Sequence, residues 1–277
     1  MTVKVLLREN RALADEGRWD LDYHLPPELI AAYPHDRLTT VSQLAHVSKL
    51  KRDPGTAPEA TFQYVDIASV DVATGSVANP QELTGEEAPS RARMVIKAYD
   101  VVVSTVRPTR GATAVVPERL HDQICSTGFT VLRCKEGVNP YYLHYVLRLP
   151  STLEQFRKFS TGSSYPAILD TDVLKTVVPG ASGEAQDAIA RATQHAHRER
   201  ERILREANEA FSAAMAGADA ALRRGDDGVE SPAGEPDDLR VSREEIAVRL
   251  ADLASRESAG GPLFADLQAA AAEDVPV

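Results

Sequence analysis

Residues 89–108, PSRARMVIKAYDVVVSTVRP, contain the signal that decides the fold. Two short apolar runs, Met94–Ile96 and Val101–Val106, are separated by a polar segment that ends in Asp100. Short runs rich in Val and Ile, bounded by turn-forming residues, are typical of β-strands. The stretch therefore predicts a pair of strands, with arginines before the first strand and after the second.

The flanking sequence continues this alternation of short strands and turns. Pro, Gly, Asn and Asp separate the runs, as at Asp53-Pro54-Gly55 and at Gly162. The pattern predicts an α+β domain with a twisted, mainly antiparallel sheet plus helices. The further candidate strands are Phe62–Ile67, Ala112–Val116, Phe129–Leu132 and Val173–Val178.

Two short helices are predicted before the last of these strands. One begins at Asn139, an N-cap residue that is followed by Pro140 at the first helical position. The other begins at Ser151, which has capping-box spacing to Glu154. The inward face of the first helix would consist of Leu143, Val146 and Leu147.

A long helix is predicted after the mixed region ends. From Glu184 to Arg224 there is no proline, and apolar or small residues recur mostly three or four positions apart. At 1.5 Å per residue this helix is about 60 Å long, more than a domain of about 16 Å radius can cover. We expect a coiled-coil-like contact with a partner helix, the alternative being an ordinary domain element. The residues predicted for this contact are Ile189, Ala196, Ile203, Ala207, Phe211, Met215 and Leu222.

These patterns divide the chain into five segments. Thirteen of the fifteen aromatic residues lie between Trp19 and Tyr165, so the main core is expected in the α+β domain. The segments are an N-terminal lead-in (1–38), the α+β domain (39–182), the long helix (183–224), an acidic linker (225–241) and a short C-terminal helical tail (242–277).

Charge is distributed unevenly among these segments. The net charge is −10, of which residues 1–182 contribute −1 and residues 183–277 contribute −9. A near-neutral domain can carry a local basic face, although it lacks the strong positive charge that is common in DNA-binding domains. Composition alone therefore does not predict a nucleic-acid-binding protein.

Five short motifs occur in a fixed order along the domain. They are Tyr64–Asp71, Pro89–Pro108, Ser126–Leu132, Asn139–Leu143 and Gly162–Ile168. In this order and at these spacings they resemble the target-recognition domain of type I restriction–modification specificity (S) subunits. The resemblance covers roughly residues 36–182, and the long helix, to about residue 224, is similar to the family's spacer helix.

The resemblance implies a DNA-recognition subunit that is not itself an enzyme. Such a subunit directs an adenine-N6 DNA methyltransferase to its target site in restriction–modification or phage defence. The implied partners are double-stranded DNA, the methyltransferase subunit and, in complete systems, a restriction/translocase subunit. The resemblance implies no cofactor in this chain and S-adenosylmethionine in the partner methyltransferase.

The chain departs from the usual form of the family, which has two recognition domains and two antiparallel helices. Only one recognition domain and one long helix are recognisable here, which corresponds to a half-length form. Two copies that pair through residues 184–224 would rebuild the full arrangement as a homodimer. The alternative is a single copy that serves one methyltransferase.

The domain offers a set of candidate DNA-contacting residues. Arg is suited to bidentate contacts with guanine, and Arg or Lys to contacts with phosphates. Hydroxyl groups and an aromatic ring in the loop at 162–166 could add groove or backbone contacts. Each residue, taken alone, is also compatible with an ordinary solvated surface position. The candidates are Lys49, Lys51, Arg52, Arg91, Arg93, Arg107, Arg110, Ser163, Ser164 and Tyr165.

The sequence contains no recognisable catalytic or metal-binding pattern. Asn139-Pro140-Tyr141-Tyr142 has Tyr at the third position, where adenine-N6 methyltransferases carry a second Pro beside the flipped base. There is no P-loop and no HExxH motif. His195 and His197 are two residues apart and so face different sides of a helix. We expect no catalytic residue and no metal in this chain.

Two alternative functions remain open. One is a helix-mediated scaffold or adaptor of a defence complex that does not read DNA itself, which the near-neutral charge favours. The other is a small DNA-modifying or nuclease enzyme whose site is not recognised. All three hypotheses share the expectation of a cytoplasmic protein, because residues 1–18 contain neither a signal-peptide nor a membrane-anchor pattern.

Overall fold

The computed structural model describes residues 17–18, 20–162, 164–224 and 248. One compact unit extends to Leu204, and the described residues from Arg205 to Arg224 belong to a second unit. The helices are α1 (Leu21–His24), α2 (Val41–Leu44), α3 (Pro140–Leu147), α4 (Pro150–Phe159), α5 (Asp170–Lys175) and α6 (Gly183–Arg224). The strands are β1 (Leu38–Thr40), β2 (Ala45–Val47), β3 (Thr61–Val65), β4 (Val70–Asp71), β5 (Ser76–Val77), β6 (Gln81–Thr84), β7 (Ala92–Ile96), β8 (Val101–Ser104), β9 (Thr113–Val115), β10 (Gln123–Ser126), β11 (Phe129–Cys134) and β12 (Val177–Pro179).

Two four-stranded sheets form the centre of the first unit. Their strand orders are β6-β3-β10-β7 and β2-β11-β8-β9, and two-stranded pairs β1-β12 and β4-β5 flank them. Among the described strands, β3 and β10 pair in parallel and all other pairs are antiparallel. The predicted α+β class with mainly antiparallel strands is confirmed, in several sheets and not in a single one.

The strands predicted from residues 89–108 are present but lie in different sheets. β7 pairs with β10, whereas β8 pairs with β11 and β9. Asp100, in the turn between them, is 2% exposed and accepts hydrogen bonds from Nε and Nη2 of Arg133 at 2.9 and 2.8 Å. This ion pair joins the turn between β7 and β8 to strand β11.

The sheet that contains β8 is buried on both faces, which explains its uninterrupted apolar sequence. Val101 and Val103 pack with helices α3 and α4, whereas Val102 faces the other four-stranded sheet together with Val131. A strand that is covered on both faces loses the alternation of apolar and polar residues. The side chains predicted to face inward from α3 are all buried: Leu143, Val146 and Leu147.

The starts of helices α3 and α4 differ in how well they match the predicted N-terminal caps. Helix α3 begins as predicted, with the Asn139 side chain accepting a hydrogen bond from the Tyr141 amide. The capping box predicted for α4 is wrong: the helix begins at Pro150 without a side-chain cap, and the Glu154 carboxylate accepts from the Glu28 and Leu29 amides.

The strand predicted over Val173–Val178 is also wrong in its first half. Residues 170–175 form helix α5, and only Val177–Pro179 form a strand. The Asp172 carboxylate accepts a hydrogen bond from the Leu169 amide at the start of the helix. That local bond favours the helix, and Val173 is fully buried in it.

The long helix is observed over Gly183–Arg224, the span predicted for it. The linker at 225–241 lies outside the described residues, and so does the tail at 242–277 apart from Val248. In the described part of the chain, none of the helices is long and apolar enough to cross a membrane.

The first part of α6 packs against the domain. The Gln186 side chain accepts from the Asn139 amide and donates to the Ala181 carbonyl, at 3.0 and 2.9 Å. Ala190 is 2% exposed, and the His197 ring meets His144 edge-on with centroids 6.4 Å apart. This part of the helix is therefore an element of the domain.

Candidate nucleic-acid interface

A cleft of about 570 Å³ lies among the loops that follow β3, β8 and β10 and precede β7 and β9. Three of the predicted arginines line it: Arg91, Arg107 and Arg110. We call it the arginine cleft. Its remaining lining residues are Tyr64, Asp66, Ile67, Ala68, Val70, Val72, Val106, Ala112 and Ser126.

The cleft has an excess of positive charge. Among the described residues, Asp66 is the one acidic residue that lines it. Its Oδ1 accepts hydrogen bonds from the amide and hydroxyl of Ser69, at 2.8 and 2.7 Å, and its Oδ2 accepts from Gln81 at 3.3 Å. Three guanidinium groups against one carboxylate leave the described lining with a positive balance.

A tight turn places Arg107 in the cleft. Arg107 has φ 48° and ψ 52°, Pro108 opens a 3-10 turn that ends at Arg110, and Gly111 has φ 71°. The left-handed conformation costs a non-glycine residue about 1–2 kcal/mol. The Arg107 amide donates to the Pro166 carbonyl at 2.7 Å, and Val106 forms a β-bridge with Ala167. The loop at 161–168 therefore holds the strained residue from outside the turn.

The same loop supplies an aromatic ring. Tyr165 is 71% exposed, and its ring centroid lies 4.9 Å from Cζ of Arg107. The Arg107 guanidinium forms no hydrogen bond or ion pair with any residue that the structure describes. The guanidinium thus makes a cation–π contact with the ring while its N–H groups remain available to a ligand.

The other candidate cations fall into two groups. Arg91 and Arg110 are exposed, and neither guanidinium is paired within the described residues. Arg93 instead donates to the Ala92 carbonyl at 2.8 Å and lies 3.4 Å from Asp53, and Arg52 donates to the Asp122 carbonyl at 3.0 Å. Arg91 and Arg110 can therefore bind a ligand without losing an existing contact, whereas Arg93 and Arg52 already contact neighbouring loops.

The remaining candidates lie apart from the cleft lining or outside the described residues. Lys49 and Lys51 are exposed next to β7 and do not line the arginine cleft. Ser164 is exposed beside Tyr165, and Ser163 lies outside the described residues. Sequence reasoning assigned no role to Tyr64, Asp66 or Ser126. Tyr64 and Asp66 lie in the motif Tyr64–Asp71, and Ser126 begins the motif Ser126–Leu132. The parallel pairing of β3 with β10 brings them to the cleft.

The residues of α6 that were predicted to contact a partner helix differ in their exposure. Ile189 packs against the domain core, Ala196 is exposed beside the His144–His197 contact, and Ile203 is 51% exposed. In the second unit the predicted residues are exposed: Ala207, Phe211 at 67%, Met215 at 56% and Leu222 at 74%. Exposed large apolar side chains at this density are common at protein interfaces.

Potential catalytic groups are not assembled in the described part of the chain. Burial lowers the pKa of His144 to about 4, and its Nε2 lies 3.2 Å from the Thr113 carbonyl oxygen. Burial raises the pKa of Cys134 to about 12, which removes its nucleophilic form at neutral pH. Within the described residues there is no group of three or more His, Cys, Asp or Glu side chains that could hold a metal ion.

Comparison with known proteins gives matches among solved structures. No family model and no curated protein match the chain. It is similar to the HsdS subunit from Thermoanaerobacter tengcongensis, with 32% identity and a TM-score of 0.56 over 73% of this chain and 53% of that one. It is also similar to a chain from a structure of the type I R-M system, with 34% identity and a TM-score of 0.55 over 72% of this chain and 52% of that one.

These matches agree with the class that the sequence motifs predict. The chain has the α+β fold of type I restriction–modification specificity subunits. It is similar to HsdS subunits, and it spans about half the length of the structures it matches.

Proposed function

We propose that this chain is a non-catalytic DNA-recognition subunit that directs an adenine-N6 methyltransferase to its target site. The observation that carries the proposal is the arginine cleft, in which Arg91, Arg107 and Arg110 converge on the recognition domain of an HsdS-like fold. The methyltransferase subunit would supply S-adenosylmethionine and the chemistry. A restriction/translocase subunit would join in a complete system, in restriction–modification or phage defence.

The local charge of the cleft supports DNA as the ligand. Residues 183–277 carry most of the net charge of −10. The recognition domain is close to neutral and so repels the DNA polyanion only weakly. Three guanidinium groups, exposed or half-buried, can each donate two hydrogen bonds to a phosphate or to a guanine edge. The cleft therefore combines backbone positioning with base reading, the two contributions that sequence-specific binding needs.

The second unit would bind a second copy of this chain. Phe211, Met215 and Leu222 are each more than half exposed, which is unfavourable unless a partner covers them. A two-fold homodimer would read a palindromic site, because each copy would contact an identical half-site.

The test is a methylation map of the host genome with the gene deleted and then restored. We expect N6-methyladenine to disappear from one DNA motif on deletion and to return with the wild-type gene. Restoration with Arg91→Ala, Arg107→Ala and Arg110→Ala combined should leave that motif unmethylated. The matched control combines Arg37→Ala, Arg191→Ala and Arg198→Ala, which removes the same charge from exposed arginines outside the cleft and should restore methylation.

Two outcomes would count against the proposal. If every motif stays methylated after deletion, the chain does not direct a methyltransferase. If the cleft triple variant restores methylation as fully as the control, the DNA contacts lie elsewhere on the molecule. Affinity purification of the wild-type chain should also recover the methyltransferase subunit in stoichiometric amount.

A further inference from the structure

We infer that Arg107 reads a guanine in the target site and that Tyr165 positions it, an inference that rests on the proposed DNA-recognition function. Two features distinguish Arg107 from the other candidate cations: its left-handed backbone conformation and the Tyr165 ring beside its guanidinium. Like Arg91 and Arg110, it has no hydrogen-bond or ion-pair partner for its guanidinium among the described residues.

The backbone conformation of Arg107 is costly and is held in place from outside the turn. Arg107 is one of three non-glycine residues with positive φ among the described residues. Its amide is bonded to the Pro166 carbonyl, Ile168 donates to the Thr105 carbonyl at 3.0 Å, and Thr105 donates to the Gly128 carbonyl at 2.9 Å. Strained residues that are held by several contacts occur preferentially at ligand sites, where their direction matters.

The side chain of Arg107 is prepared for a planar ligand. Cζ of Arg107 lies over the Tyr165 ring, 4.9 Å from its centroid, and this cation–π contact favours one position of the guanidinium over others. Arg91 and Arg110 line the same cleft, but no aromatic ring stacks on either of them within the described residues. Their freedom suits contacts with phosphates, which tolerate variation in position more readily than base contacts do.

Guanine is the base whose edge matches a fixed guanidinium. Its N7 and O6 are adjacent acceptors on the major-groove edge, and they accept two parallel N–H bonds from Arg. The other bases present a donor, a methyl group or a single acceptor at the same place. Arg52 and Arg93 cannot take this role without giving up their bonds to the Asp122 and Ala92 carbonyls.

The experiment measures base preference position by position. The chain, co-purified with its methyltransferase, is used to select duplexes from a random library, and the selected sequence is then resynthesised with 7-deazaguanine at one guanine at a time. This base lacks the N7 acceptor. We expect one position, with its symmetry mate in a homodimer, at which the substitution weakens wild-type binding by roughly tenfold to a hundredfold.

Variants then connect that position to the residue. Arg107→Lys keeps the charge but loses the bidentate fork, so it should lose the preference for guanine at that position alone. Tyr165→Ala should reduce the preference for guanine at that position, whereas Tyr165→Phe, which keeps the ring, should retain it. Arg110→Ala is the control: it should weaken binding to all sequences equally and lower the slope of log K against log salt by about 0.9.

Failure of the inference and failure of the proposed function give different results. If Arg107→Lys weakens all duplexes alike and every base preference survives, Arg107 contacts a phosphate and the inference is overturned while DNA recognition stands. If the wild-type assembly selects no sequence, the proposed function falls and the inference with it. Circular dichroism of each variant verifies that a lost preference does not come from unfolding.

Discussion

Lowering the pH from 7.5 to 5.0 should destabilise the recognition domain through His144. This residue is 5% exposed beneath α6, close to the Arg148 guanidinium and the His197 ring. Its Nε2 lies 3.2 Å from the Thr113 carbonyl oxygen, so the neutral imidazole already has a partner. Protonation would place a second positive charge beside Arg148 in a buried site, which is unfavourable.

The magnitude follows from the difference between the folded and unfolded pKa values. Burial lowers the pKa of His144 from 6.5 to about 4. Between these values the unfolded chain binds the proton and the folded chain does not, so the free energy of unfolding falls as the pH falls. At pH 5.0 the expected loss is about 2 kcal/mol relative to pH 7.5, by linkage. The lowered pKa of His197, also caused chiefly by burial, adds to the loss in the same direction.

The assay is urea unfolding followed by circular dichroism at both pH values, for wild type and two variants. His144→Gln removes the titrating group and retains a donor for the Thr113 carbonyl, so it should abolish most of the difference between pH 7.5 and 5.0. His195→Gln, at an exposed histidine of α6, should behave as wild type. An equal loss of stability in His144→Gln and wild type would refute the reasoning.

Two further predictions concern a glycine and the exposed helix. Gly75→Ala should lower the free energy of unfolding by about 2–4 kcal/mol, because φ is +68° and the added Cβ would lie 2.3 Å from His144 Nε2; Gly137→Ala, with φ +77° and nothing within 4 Å, should cost only about 1 kcal/mol. A similar cost at both glycines in urea unfolding would show that the contact with His144 does not matter. Phe211→Glu combined with Met215→Glu should shift the mass measured by light scattering from that of a dimer to that of the 30.0 kDa monomer, whereas Ala213→Glu on the same helix should not. A wild-type chain that is already monomeric would contradict the proposed homodimer.

Local features of the sequence determined several elements of this protein by themselves. Asn139 and Pro140 specify the start of α3 because an N-cap bond and a fixed proline φ act within three residues. The absence of proline from Glu184 to Arg224 and the recurrence of small and apolar residues specify α6 in the same local manner. The ordered motifs were enough to predict the class of protein that the solved structures confirm.

Tertiary structure decided what depends on residues far apart in the chain. Val173 has the β-branched character of a strand, but residues 170–175 are helical and Val173 is buried against the core. β7 and β8 enter different sheets on either side of the turn that contains Asp100, whose carboxylate pairs with Arg133 of β11. The pairing of Asp100 with Arg133 is not identifiable from sequence spacing.

The division of the arginines is the clearest case. Arg93 and Arg107 both flank the strand pair and are equivalent as sequence signals. In the folded chain Asp53 and the Ala92 carbonyl engage Arg93, whereas Arg107 is stacked on Tyr165 and directed into the arginine cleft. The sequence determined that arginines would gather near these strands. Only the packing of distant loops decided which of them a ligand can reach, because hydrogen bonds and stacking depend on atoms that the fold brings together.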